Sequence, residues 1–164
     1  MIFRRRPVRI RRLRGGDAET WRNLRLDALA RHPEAYGSSH DDWAGRPLSA
    51  FADQLEAGCI YGAFAGERAV GCMALAGTGD AGEILAVYVR PEFRGRGFAR
   101  QLLAALETEA RGRGMRQLTL SVARQNTGAL RFYRRAGFSE TGQPSRVLTR
   151  DGRFLDLVAM TRPL

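Results

Sequence analysis

The stretch from Glu83 to Leu103, "EILAVYVRPEFRGRGFARQLL", decides the fold. Its first seven residues form a continuous apolar run with β-branched side chains, which suits a strand buried on both faces. From Phe98 onward, Leu102, Leu106 and Ala110 recur at steps of four, the spacing of one helix face, and Gly112 and Gly114 supply the stop. Between strand and helix, Gly95 and Gly97 stand among Arg90, Arg94, Arg96 and Arg100. Glycines remove the Cβ atoms that keep a ligand off the backbone. A helix start offers unpaired N–H groups and a partial positive charge, to which arginine adds full charge and paired donors. The pattern reads as a cradle for a phosphate-bearing ligand. It is not a GxxxxGKS/T phosphate loop, because the lysine is missing. Nor is it a GxGxxG dinucleotide fingerprint, because Arg100 stands where the third glycine belongs.

Upstream of this unit, Val8 and Ile10, continued toward Leu13, alternate with arginines and open a strand. Asp17 is placed to cap a helix whose stripe is Trp21, Leu24, Ala28 and Leu29, ending before Pro33. Residues 33–47 read as a polar loop carrying aromatics, and Leu48 to Ala57 as a second helix. Residues 59–76 read as a hairpin around Gly66-Glu67, with glycine at the first position of a type II′ turn. In that register Cys59 lies diagonal to Cys72, so a disulfide is disfavoured and both thiols pack in the core. Downstream, "QLTLSV" (117–122) alternates as a strand. Asn126 or Thr127 then caps a helix that turns Ala129, Leu130, Tyr133 and Ala136 inward and stops at Gly137. Asp151-Gly152 marks a final hairpin. With no repeat or linker, residues 1–164 read as a single domain. The class is mixed α+β, with one strand–helix–strand unit in the middle.

Composition narrows the setting. Hydrophobic residues make up 44%, enough for a core, and the formal net charge is +10. All 27 basic residues are arginine, a bias that discounts the charge as a nucleic-acid signal while favouring an anionic ligand. The triplet Arg4-Arg5-Arg6 reads as a solvated N-terminus. No secretory signal or membrane-length apolar run appears, which sets the expectation of a cytoplasmic protein without a membrane partner. A homodimer is compatible with the sequence, which does not fix the oligomeric state.

Four features then agree: the "EILAVYV" strand, the loop "RPEFRGRGFA" with its Arg94-x-x-Gly97-x-Ala99 spacing, Asn126 after the next strand, and "ALRFYRRAGF" closing the following helix. At these spacings the chain resembles the GNAT superfamily of acyl-CoA-dependent N-acyltransferases, most strongly over residues 83–138. The resemblance implies a mostly antiparallel, twisted sheet of about six to seven strands around a splayed parallel pair, with about four flanking helices. It implies acetyl-CoA as co-substrate and a primary amine, on a small molecule or a protein, as acceptor. It assigns the CoA pyrophosphate to the backbone at Arg94, Gly95, Arg96, Gly97, Phe98 and Ala99. It lays the pantetheine arm along Val87 and Val89, with a backbone N–H near Val87 polarising the thioester carbonyl. Asn126 resembles the asparagine that bonds the pantetheine, although a helix N-cap is the plain alternative. Tyr133 resembles the tyrosine that protonates the departing thiolate, against the alternative of a core aromatic. Arg131, Arg134 and Arg135 are either contacts to the adenosine 3′-phosphate or solvated helix charge.

Glu83, eleven positions before Arg94, matches the catalytic glutamate of some histone-type members. A base is needed because an alkyl ammonium, with a pKa of about 10, has no lone pair to attack with. A strand-end glutamate facing solvent is the competing reading. The resemblance lines the acceptor cleft with Glu34, Tyr36, His40, Asp41, Asp42 and Trp43, with Tyr61 beside them; carboxylates near aromatics would suit a cationic amine. His32 and His40 have no metal-ligand spacing, and no GxSxG elbow is present. Two other functions fit less well. A non-catalytic CoA-binding regulatory module would have no use for Glu83 and Tyr133, and a basic RNA or ribosome binder would lack its aromatic motif.

Overall fold

The hairpin at Gly66-Glu67 builds the middle of the sheet. Gly66 has φ +63°, Glu67 does not share the positive φ, and Ala65 pairs with Arg68, as a type II′ turn requires. The computed structural model describes residues 7–33, 38–149 and 152–164; the Arg4–Arg6 triplet, Glu34, Tyr36 and Asp151 lie outside the described residues. Within them the order is β1 (Val8–Arg12), α1 (Ala18–Arg31), α2 (His40–Ala44), α3 (Leu48–Ala57), β2 (Cys59–Ala65), β3 (Arg68–Ala76), β4 (Ala81–Val89), α4 (Phe98–Gly112), β5 (Gln117–Ala123), α5 (Thr127–Arg135), β6 (Ser139–Leu148) and β7 (Phe154–Pro163). The strands form one seven-stranded sheet in the order β1-β2-β3-β4-β5-β7-β6. Every pairing is antiparallel except β4 with β5. This is the α+β sheet with a central parallel pair that the sequence implied.

Each sheet face carries its own apolar layer. Phe98, Leu102, Leu103, Leu106 and Ala110 of α4 pack with Met73, Leu75, Ile84, Leu118 and Leu120 on one face. Trp21, Leu24 and Ala28 of α1 and Phe51 and Leu55 of α3 pack with Ile60, Phe64, Cys72 and Tyr88 on the other. Leu102 and Leu106 are fully buried, each contributing about 1.5–3 kcal/mol of transfer free energy.

Four sequence expectations change. Val70 faces no partner, because Phe64 pairs with Ala69 and Ala63 with Gly71. One extra residue in β3 reverses every side chain beyond it. Cys59 therefore sits opposite Leu75 and Cys72 opposite Gly62, and the two thiols belong to different faces of the sheet, not to a diagonal pair. Residues 40–44, expected within a loop, form α2, whose N-cap Ser39 accepts from the Asp42 N–H. Asp17 precedes α1 but spends its carboxylate elsewhere: it accepts from both terminal nitrogens of Arg11, at 2.9 and 2.8 Å, and from the Arg14 N–H. Finally, β4 is not buried on both faces: Glu83 is exposed and Leu85 is 43% exposed. The reason lies in how β4 parts from its neighbour.

Candidate active site

Strands β4 and β5 pair for only three residues, Ala81, Gly82 and Glu83 against Gln117, Leu118 and Thr119. Beyond that point β5 stays with β7 as far as Ala123, while β4 stays with β3 as far as Val89. The sheet therefore opens in its middle and presents a strand edge without a strand beside it among the described residues. A bulge sharpens the divergence. Cys72 pairs with Tyr88 and Ala74 with Leu85, so β4 carries one extra residue, and Ala86 takes φ +50°. A non-glycine residue in that region is uncommon and strained, and such strain gathers at functional sites.

The opening leads into a cleft of about 2110 Å³. Glu83, Val87, Val89, Arg94, Gly95, Arg96, Gly97, Phe98, Ala99, Asn126 and Tyr133 all line it. The structure thus brings the residues assigned to CoA and to proton transfer into one cavity.

One end of the cleft is formed by the turn before α4. Gly95 and Gly97 have φ +73° and +85°, and a Cβ built at Gly95 would meet nothing within 4 Å. The need for glycine there is conformational, and the space beside it is open to a ligand. Phe98 is buried and meets Phe93 edge-on at 5.9 Å, which fixes the first turn of α4 to the loop before it. The guanidinium of Arg96 sits over Phe93, 5.2 Å from the ring centroid. Arg94 reaches back instead, donating to the Val89 carbonyl and meeting His32 Nε2, both at 3.0 Å.

At the other walls, Asn126 caps α5, its Oδ1 accepting from the Ala129 N–H at 3.1 Å. The cap uses the oxygen, so the Nδ2 amide can still donate to a ligand carbonyl. Tyr133 is 5% exposed and packs edge-on to Phe132 and Phe138. Its hydroxyl has no hydrogen-bond partner among the described residues, and burial pushes its ionisation above the usual phenol value, so it keeps its proton. Arg131, Arg134 and Arg135 lie outside this cleft, along a separate hollow, and Arg134 pairs with Glu140 at 2.5 Å.

The acceptor residues drawn from the resemblance fare differently. His40, Asp41, Asp42 and Trp43 do not line the cleft. Trp43 packs on Phe51 and lies under Arg46. Tyr61 faces away and donates to Glu109 of α4 at 3.0 Å. The residues that do border the cleft from α1 and α3 are Trp21, Arg25 and Gln54, with the Trp21 indole donating to Gln54 at 2.7 Å. A signal for Arg25 existed: it falls on the core stripe of α1, four residues from both Trp21 and Leu29. Neither thiol is a nucleophile candidate. Burial raises both, and drives Cys72 up to about 12.

An ion network ties α1 to the far end of β4. Asp27 accepts from the Tyr88 hydroxyl, from Arg90 at 3.0 Å and from Arg31 at 3.0 Å. Burial works to raise the Asp27 carboxyl, but these donors and charges outweigh it and hold it below the ordinary value. Its contribution to stability is therefore intact above 3.8 and is lost as pH falls through the lower, folded value. Asp27→Asn should destabilise the fold by about 1–3 kcal/mol at neutral pH. Urea melts of both proteins test this, with the gap closing in acid; an equal gap at low pH would dissociate it from the carboxylate charge.

A glycine turn at a helix start, beside a strand edge opened in mid-sheet, gives one continuous site with room for an extended anionic ligand. Residues 19–138 match the model of the acetyltransferase (GNAT) family, and the chain belongs to that family. It is 34% identical over 143 residues to a mycothiol acetyltransferase of Thermobispora bispora, covering 80% of this chain and 46% of that one. It is 39% identical over 74 residues to the L-amino acid N-acyltransferase MnaT of Escherichia coli, covering 45% and 43%. The chain thus spans less than half the length of these relatives. Among solved structures, a GNAT acetyltransferase from Streptococcus pneumoniae superposes with TM-score 0.79 at 18% identity, over 96% of this chain and all of that one. YncA of Salmonella typhimurium, solved with acetyl-CoA, superposes at 0.74 with 24% identity, over 96% and 94%. At such identities these two likenesses speak for the fold. No helix among the described residues is long and apolar enough to cross a membrane.

Proposed function

We propose that this chain is an acetyl-CoA-dependent N-acetyltransferase that passes the acetyl group directly to a primary amine in a ternary complex. The observation that carries the reading is the mid-sheet opening from Ile84 to Val89, continuous with the Gly95–Gly97 cradle. Acetyl-CoA supplies the activated acyl group. The backbone of residues 94–99 holds the pyrophosphate, where open space at Gly95 and the start of α4 favour an anion. The Val87 and Val89 segment flanks the pantetheine arm, and Asn126 donates its amide to it. Glu83, exposed where β4 and β5 part, takes the proton from the incoming ammonium, directly or through water. The freed amine attacks the thioester carbonyl, the C–S bond breaks, and Tyr133 gives its phenolic proton to the leaving sulfur. The two relatives named above carry out acyl transfer, and the MnaT name specifies an amino-acid acceptor, which supports an amine as the group acylated here.

Glu83→Gln tests the base. The expected result is a rate on amines lower by about 100-fold, the weak end of general-base effects because water can stand in at an exposed site. The acidic limb of the pH–rate profile should change and acetyl-CoA affinity should hold. A wild-type rate across pH would take Glu83 out of the mechanism.

A further inference from the structure

We infer that Arg162, near the end of β7, is a positioning residue for Tyr133: with Glu107 of α4 it fixes the C-terminal end of α5 and so sets where the phenol stands at the cleft wall. This rests on the reading of Tyr133 as proton donor to the leaving sulfur. Arg162 comes from a face of β7 that is otherwise apolar. Val158 and Met160, four and two residues earlier, are buried in the layer that α4 covers, and Arg162 sits opposite Leu118 of the same layer. Its side chain is only 20% exposed. A guanidinium in such a place costs desolvation unless its donors are used.

Its Nη1 donates to the carbonyl of Ala136, at 3.0 Å, and also to the Glu107 carboxylate. Ala136 is the C-cap of α5, where helix carbonyls lack intrahelical donors and the dipole end is negative, so a cation is favoured there. The arginine stem lies along Gly137, whose φ of +91° turns the chain out of the helix and where a Cβ would already touch Arg162 Cδ at 3.4 Å. Glu107 stands on α4, so one guanidinium ties together β7, α4 and α5.

This clamp reaches Tyr133 by two short routes. Along the main chain, Ala136 lies three residues beyond it, and the Phe138 N–H donates to the Tyr133 carbonyl at 2.9 Å. Through the rings, the Arg162 guanidinium lies over Phe138, 5.9 Å from its centroid, and Phe138 meets Tyr133 edge-on at 5.5 Å. The helix needs such a hold. It has nine residues, of which only Leu130 and Tyr133 are buried, and a helix this short is marginal on its own. A phenol that hands over a proton must stand within hydrogen-bond reach of the sulfur, and a misplacement of about 1 Å can slow a reaction about 100-fold. Neither Arg162 nor Glu107 lines the cleft, so their effect on catalysis runs through the groups they hold.

The experiment combines Arg162→Met, which keeps the stem and removes the guanidinium, with Tyr133→Phe, singly and together, in the whole chain. The chain has four tyrosines, so carbon-13 at the hydroxyl-bearing ring carbon gives a simple NMR spectrum, in which Tyr133→Phe assigns the Tyr133 signal by its loss. In Arg162→Met that signal should shift or broaden, with and without acetyl-CoA, while those of Tyr61 and Tyr88, on β2 and β4, hold. Thiol release from acetyl-CoA is then followed in single turnover with leucine, phenethylamine, spermidine and an alanyl peptide as amines. Arg162→Met should slow it by roughly 10- to 100-fold with acetyl-CoA affinity unchanged. In the Tyr133→Phe background it should slow nothing further, because residues that act as a unit are not additive. Arg162→Lys, which can still donate to the Ala136 carbonyl, should recover part of the rate. Should Arg162→Met not fold, Glu107→Gln, which removes the charge and keeps the shape, takes its place in every arm. Equal slowing in both backgrounds, no slowing, or an unmoved Tyr133 signal would overturn the inference and leave Tyr133 as the acid. A full single-turnover rate in Tyr133→Phe would bring down the acid itself, and the inference with it. If none of these amines releases thiol, the NMR arm, which needs no acceptor, decides alone.

Discussion

Tyr133→Phe is expected to melt at the wild-type temperature, bind acetyl-CoA almost normally and turn over roughly 100- to 10,000-fold more slowly. The ring packs between Phe132 and Phe138, and phenylalanine keeps that packing. The hydroxyl has no hydrogen-bond partner among the described residues, so its loss strands no other group. What the substitution removes is one proton, on a phenol that burial keeps protonated, at the wall of the cleft where a thiolate would depart. Steady-state kinetics beside a thermal melt separates catalysis from packing. Should product release limit turnover, single-turnover mixing replaces steady state. Full activity there would leave Tyr133 as a core aromatic.

Gly97→Glu should abolish CoA binding, by more than about 100-fold, since setting like charges side by side costs several kcal/mol. A Cβ at Gly97 would approach only the Arg100 guanidinium, at 3.7 Å, so the fold has room for the new side chain. The φ of +85° carries a conformational cost of about 1–3 kcal/mol for any other residue. Gly97→Ala bears that same cost without the charge, so the difference between the two variants isolates the electrostatic part. Calorimetry on folded protein reads it. Unchanged affinity in Gly97→Glu would remove the 94–99 loop from the CoA site.

The strand–cradle–helix unit was legible because its signals are local. Two glycines at a turn, a four-residue apolar step and an asparagine at a helix start are each read within a single element. What escaped depends on neighbours. The splay of β4 from β5 is expected only through the family resemblance; nothing in "EILAVYV" itself tells of it, so the run alone reads as doubly buried while Leu85 lies open. Nothing in "RAVGCMALA" marks Val70 as an extra residue, yet that residue decides which face Cys72 occupies. The acceptor wall was the least legible part. The resemblance put Asp41, Asp42 and Trp43 in the acceptor cleft, but a short helix carries them away from it, and Trp21, Arg25 and Gln54 border it instead.

The parting of β4 from β5 also bears on how the protein avoids sticking to itself. An unpaired strand edge invites the strand of another chain, and most proteins keep such edges short, charged or bent. Here the edge lies inside the sheet, with β5 beyond the gap and β1 and β6 at the outer rims. It runs only from Ile84 to Val89, the bulge at Ala86 breaks its repeat, and arginines ring its mouth. A regular polypeptide strand would find its register broken at that bulge. The bulge and early parting that open the sheet to a ligand thus also break up the edge that another chain would need to pair with.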